Sequence, residues 1–152
     1  MIAYTELPAS NRLSRYVECY WFREDSWGTP DHWVLPDGCV DILFSARNGE
    51  PVELSLVGLM TTRKPVEISP GQFFFGVRFR PGMASAFIPE AAELTDTIER
   101  LENVIGGAGR SLIKELGDSR SPGENVKIFD RFLNLIDSIH PGTIQALCFI
   151  MP

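Results

Sequence analysis

The residues in this chain with the most obvious chemistry are two histidines, three cysteines and one run of glycines. A catalytic metal centre needs a cluster such as three His, or two His and a carboxylate, with an open coordination position. His32 and His140 lie far apart, one in a β-rich stretch and one at the end of a helical pattern, so both read as structural or surface histidines. No metal and no other cofactor is expected. Cys39, His32 and Asp41 can be written as nucleophile, base and orienting group, but catalysis would also need an activated thiolate and an oxyanion site. Cys39 directly follows the turn Pro36-Asp37-Gly38, where a small buried thiol is the commoner outcome, and no catalytic residue is assigned. Gly106-Gly107-Ala108-Gly109 follows a helix instead of a strand and lacks the P-loop Lys-Ser/Thr, so it reads as a joint between helices.

A stronger signal is aromatic. Trp21, Trp27 and Trp33, with Tyr16, Tyr20 and Phe22, crowd into the first 35 residues. They form either a core layer or the wall of an apolar pocket in which a few polar groups fix a small ligand. On the second reading the ligand-binding candidates are Trp21, Trp33, Asp41, Arg78 and Arg80. Asp41 and Arg78 equally fit a structural ion pair.

The elements that would position these residues divide the chain in two. From about residue 13 to 80, short runs of β-branched and aromatic residues alternate with Gly, Pro and Asp punctuation, which predicts strands. Runs at 15–23, 32–35, 39–45, 53–60, 64–69 and 72–80 fit this pattern. In the last of these Phe73, Phe75, Val77 and Phe79 share one face, and Phe74, Gly76, Arg78 and Arg80 the other. Val40, Ile42 and Phe44 likewise oppose Cys39, Asp41 and Leu43.

After Pro81-Gly82 the period becomes helical, at 83–88 and at 97–105, the latter with Thr95 or Asp96 as N-cap. A segment at 110–116 ends on Gly117 as its C′ residue. Ser121-Pro122-Gly123-Glu124 has the spacing of a capping box with Pro at N1. Phe129, Phe132, Leu133, Ile136 and Ile139 then line one helix face, and Ile144, Leu147, Ile150 and Met151 continue at helical spacing.

Composition sets the outer bounds. With 44% hydrophobic and 22% charged residues, the 152-residue chain has enough apolar surface for one folded domain. Its net charge of −6 gives no electrostatic footprint for a phosphate backbone, so these residues alone are not expected to bind duplex DNA. Cys19, Cys39 and Cys148 are odd in number and contain no C-x-x-C pair, which suits free thiols in a reducing compartment. Without a basic n-region leading into an apolar stretch, or a window long enough to span a membrane, a cytoplasmic location is expected.

Several segments together resemble the amino-terminal domain of a branch of AraC-family transcription regulators. They are LSRYVECYW (Leu13 to Trp21), LPDGCVDILF (Leu35 to Phe44), Gly58 and GVRFRPG (Gly76 to Gly82), with Glu93-Leu94-Thr95-Asp96 and the helix around Phe129 to Leu133 in corresponding places. The resemblance implies a ligand-sensing, often dimerising module that precedes two helix-turn-helix units, and the chain ends about where those would begin.

The expectation is therefore an α+β fold: a cupin-like β-barrel or sandwich followed by a C-terminal helical segment, as one regulatory domain over 1–152. It would take an unknown small-molecule effector, form a homodimer through the C-terminal helices, and meet DNA only through a helix-turn-helix domain missing from this chain. The alternative is a stand-alone cupin-like small-molecule-binding protein or enzyme.

Overall fold

The computed structural model describes residues 2–137. Its strands are β1 (Ile2–Leu7), β2 (Val17–Asp25), β3 (Thr29–Val34), β4 (Asp41–Arg47), β5 (Glu50–Val57), β6 (Lys64–Ile68), β7 (Gln72–Phe79) and β8 (Ile98–Arg100). Six of them form one antiparallel sheet in the order β1-β2-β7-β4-β5-β8, and β3 pairs with β6 in a second, two-stranded sheet. The large sheet is open, with β1 and β8 at its edges. The expected α+β fold is what these elements make, an antiparallel sheet with a helical C-terminal part, and of the expected barrel or sandwich the strands show no closed barrel.

The period-two pattern decides which face is buried. Tyr20, Ile42, Phe44, Leu54, Leu56, Phe75, Val77 and Phe79 all point into the core. Full burial of one such side chain contributes about 1.5–3 kcal/mol. The helices that cover this face are α1 (Leu101–Ile105), α2 (Gly107–Asp118) and α3 (Pro122–Asp137). From α3, Phe129 stacks on Phe75 at 5.7 Å and 8°, and Phe132, Leu133 and Ile136 complete the buried stripe. The Tyr20 hydroxyl, buried in the sheet, donates to the Asp130 carboxylate and ties β2 to α3.

Local chemistry explains the helix boundaries. Ser121 Oγ accepts from the Glu124 N–H at 3.2 Å, as a capping box requires, while Glu124 Oε2 accepts from the Arg120 N–H at 2.6 Å, one residue before the cap. The expected joint lies at Gly106, whose φ of +68° ends α1 and starts α2. Gly109 lets the two helices approach, because a Cβ there would come within 2.9 Å of the Glu102 backbone.

Four expectations are corrected. The β region begins at Ile2, not near residue 13, because β1 pairs with β2 along its whole length. Residues 98–100 are a strand on the edge of β5, so the helix starts only at Leu101. Asp96 therefore caps nothing there; at φ +53° its carboxylate accepts from the Thr61 N–H at 2.8 Å and from the Thr61 hydroxyl. Gly117 lies inside α2, and Ser119 is the C-cap. Ile139, His140 and the segment with Ile144, Leu147, Cys148, Ile150 and Met151 lie outside the described residues.

Candidate functional site

The face of the large sheet turned away from the helices carries a polar cluster. Register builds it: Cys19 on β2, Arg78 on β7 and Asp41 on β4 are direct neighbours across three strands. One row along, Trp21 pairs with Gly76, and Glu6 of β1 pairs with Trp21. The bare Gly76 backbone gives the indole room to lie flat on the strand and reach across to β4. Trp21 Nε1 donates to Asp41 Oδ2 at 3.0 Å.

Arg78 stands among three carboxylates and bonds closely to none. Its guanidinium nitrogens lie 3.9 Å from Glu6 Oε1, 3.8 Å from Asp37 Oδ2 and 3.7 Å from Asp41 Oδ1. The guanidinium carbon is also 5.9 Å from the Trp21 ring centre, within reach of a cation–π attraction. Tyr4 completes the wall, tilted 31° to Trp21 at 6.0 Å and donating its hydroxyl to Glu6 Oε1 at 2.9 Å. Two atoms at the centre, Arg78 Nε and Asp41 Oδ1, are buried and have no hydrogen-bond partner among the described residues.

The electrostatics follow from burial and crowding. Burial pushes the Asp41 carboxyl up to about 7, against the opposing pull of Arg78 and the Trp21 N–H, with Asp37 and Glu18 adding to the rise. Burial thus favours its protonated form far more than that of an ordinary carboxyl. Burial, helped by the hydrogen bond to Glu6, lifts Tyr4 to about 12. Cys19 and Cys39 both rise to about 11, chiefly through burial, so both thiols hold their protons at neutral pH.

This geometry takes apart the arrangement of Cys39, His32 and Asp41. Cys39 Sγ faces Glu18 Oε2 at 3.8 Å, His32 Nδ1 faces Arg23 Nη1 at 3.2 Å, and Asp41 serves Trp21. Burial and the Arg23 charge lower the His32 pKa. Among the described residues no group of three or more His, Cys, Asp or Glu could hold a metal.

Of the five candidate ligand residues, Trp21, Asp41 and Arg78 come together. Trp33, on β3, is partly exposed beneath the Arg63 guanidinium, which lies 4.3 Å from its ring centre. Arg80 follows the end of β7, and its side chain donates from Nε to the Ser14 carbonyl at 2.8 Å. Its backbone N–H donates to the Tyr16 carbonyl at 2.8 Å, so Arg80 fastens the turn before β2. Sequence reasoning missed Tyr4, Glu6 and Asp37. The first two alternate along β1, and the third was read only as a turn residue, which it also is, since Asp37 Oδ1 accepts from the Cys39 N–H at 2.9 Å.

The fold and the cluster define a small α+β domain whose open sheet carries a charged, aromatic-walled patch. The chain belongs to the family described as a domain of unknown function, DUF6597, whose model matches residues 5–100. That span runs through β8 and includes Glu6, Cys19, Trp21, Asp37, Asp41 and Arg78. Neither the curated proteins nor the solved structures contain a match. No helix among the described residues is long and apolar enough to cross a membrane.

Proposed function

We propose that this chain is the ligand-sensing and dimerisation domain of a bacterial AraC-type transcription regulator of the cytoplasm, with a cupin-like sheet and no DNA contact of its own. The resemblance of LSRYVECYW, LPDGCVDILF and GVRFRPG supports the regulator family, and it gives one role to three segments that pack around a single cluster. The observation that carries the sensing role is the pair Asp41 Oδ1 and Arg78 Nε, 3.7 Å apart, buried and each without a hydrogen-bond partner. The rest of both side chains stays partly exposed on the open face, 24% for Arg78 and 14% for Asp41, so a guest can meet the guanidinium and the carboxylate there. A ligand with one donor for Asp41 and one acceptor for Arg78, and a flat apolar body against Trp21 and Tyr4, meets all these demands. Such a ligand acts as a switch only by binding two states of the regulator with different affinity.

The experiment is a chimera. The chain is fused ahead of a DNA-binding half that represses a reporter only as a dimer, beside a fusion carrying Leu147→Glu. Repression by the first, weakened in the second, is expected. A chimera no more active than the DNA-binding half alone contradicts the regulatory reading.

A further inference from the structure

The Trp21–Asp41–Arg78 cluster carries more negative than positive charge. Glu6, Asp37 and Asp41 stand around the guanidinium of Arg78 at 3.9, 3.8 and 3.7 Å. With Asp41 protonated, two carboxylates still face the one guanidinium. Glu18 deepens the negative field: after burial, its carboxylate and that of Asp41 lift the pKa of both Cys19 and Cys39, against the pull of Arg78.

The outer carboxylates are also the accessible ones. Of the Glu6 side chain 55% is exposed and of Asp37 49%, against 24% for Arg78. An anionic guest would meet repulsion from these two groups before reaching a guanidinium that they already surround, whereas the same groups draw a cation in. Glu6 Oε1 accepts from the Tyr4 hydroxyl and faces Arg78, while Oε2 has no partner among the described residues. The half-exposed Tyr4 ring, beside Trp21, adds aromatic surface whose electron-rich face attracts a cation.

We propose that the guest of this site is cationic, a primary amine on a flat aromatic body, with its ammonium held by the exposed carboxylates of Glu6 and Asp37 and its body against Tyr4 and Trp21. The inference rests on the sensing reading of the cluster and adds to it the sign of the ligand's charge.

Three probes on one skeleton test it. 2-Amino-1-phenylethanol, 1-phenyl-1,2-ethanediol and mandelate share a phenyl ring and a hydroxyl, and end in an ammonium, a hydroxyl and a carboxylate. Each is titrated into the 152-residue chain while the ¹H–¹⁵N signal of Trp21 Nε1 is followed. The amine should shift the signal saturably and bind roughly tenfold more tightly than the diol, the worth of one charge-assisted hydrogen bond. Mandelate should bind more weakly than either. Added salt should weaken the amine and leave the diol unchanged. Glu6→Gln combined with Asp37→Asn removes both charges but keeps acceptors for the Tyr4 hydroxyl and the Cys39 N–H, and should bring the amine down to the affinity of the diol. If that variant fails to fold, the salt dependence of the wild type decides. A diol or mandelate that binds as tightly as the amine, or an amine preference untouched by salt and by the double variant, would overturn the inference. The cluster would then take a neutral or anionic ligand, and the sensing reading would stand. A signal unmoved by all three probes would overturn it too, and a wider library that also left the signal in place would take the sensing reading with it.

Discussion

The Trp21 indole fills the space in which Gly76 would carry a side chain: a Cβ on Gly76 would fall 2.2 Å from both Cε2 and Nε1. The pairing of these two residues across β2 and β7 sets the height of the ring above the sheet, and with it the bond from Nε1 to Asp41. Gly76→Ala must therefore expel the indole. Overpacking of this kind costs about 1–3 kcal/mol, and urea denaturation should show a loss of that size together with a changed Trp emission. Unaltered stability and emission would mean that the ring does not lie on Gly76.

Asp41 makes stability depend on pH in a defined direction. Its folded pKa of about 7 lies above the ordinary 3.8, so the folded state holds a proton that the unfolded chain has released. The contribution is whole below the ordinary value and is lost as pH rises through the window up to the folded one, by up to about 1.4 kcal/mol per pH unit. Asp41→Asn, which can still accept from Trp21, should gain on the wild type across that window. Parallel stability profiles for the two proteins would show that Asp41 does not titrate there.

Asp25 works with the opposite sign. Fully buried at the end of β2, it accepts from Thr29 Oγ1 at 2.5 Å, from the Gly28 and Trp27 N–H groups at 2.8 and 3.2 Å, and from Arg23 at 3.3 Å. The Thr29 bond leads the set that holds its pKa below the ordinary value, against the effect of burial. Its stabilisation is present above the ordinary carboxylate pKa and is lost as pH falls through the folded one. Asp25→Ala should melt well below the wild type at neutral pH, and the gap should close in acid. A gap independent of pH would assign the loss to packing instead.

Gly38 and Gly82 both have positive φ, +75° and +76°, and nothing lies within 4 Å of a Cβ built on either. Alanine there meets no neighbour, so the whole cost is conformational, about 1–2 kcal/mol at each. Melting curves of the two single variants should show similar losses, and their sum in the double variant. Unchanged midpoints would contradict the backbone geometry of both turns.

These elements show what local pattern can and cannot reveal. The alternation of Phe73, Phe75, Val77 and Phe79 fixed the buried face of β7, and the Pro-Asp-Gly and Pro-Gly turns and the Ser121 cap were readable because each depends on neighbours in sequence. The order β1-β2-β7-β4-β5-β8 was not, since it rests on pairings between distant segments. Tyr4 and Glu6 join the cluster only because β1 adds to the edge of β2. Arg80 looked equivalent to Arg78 by parity, but β7 ends at Phe79, and beyond it the alternation no longer decides where a side chain goes. Trp33 was grouped by composition, whereas β3 pairs with β6 in the other sheet and its ring meets Arg63. The short β8 carried too few residues to be told from a first helical turn.

The side-chain ¹H–¹⁵N signals of Trp21 Nε1 and Arg78 Nε report directly on the proposed ligand site at Asp41 and Arg78, beside Trp21. They should be followed while the labelled chain is titrated with a library of small aromatic acids, amides and amines. At least one compound should move both signals saturably and together, and should lose its effect in Arg78→Met. If no compound moves them, or if every compound that binds leaves both signals in place, the cluster is a structural ion pair and the sensing role falls.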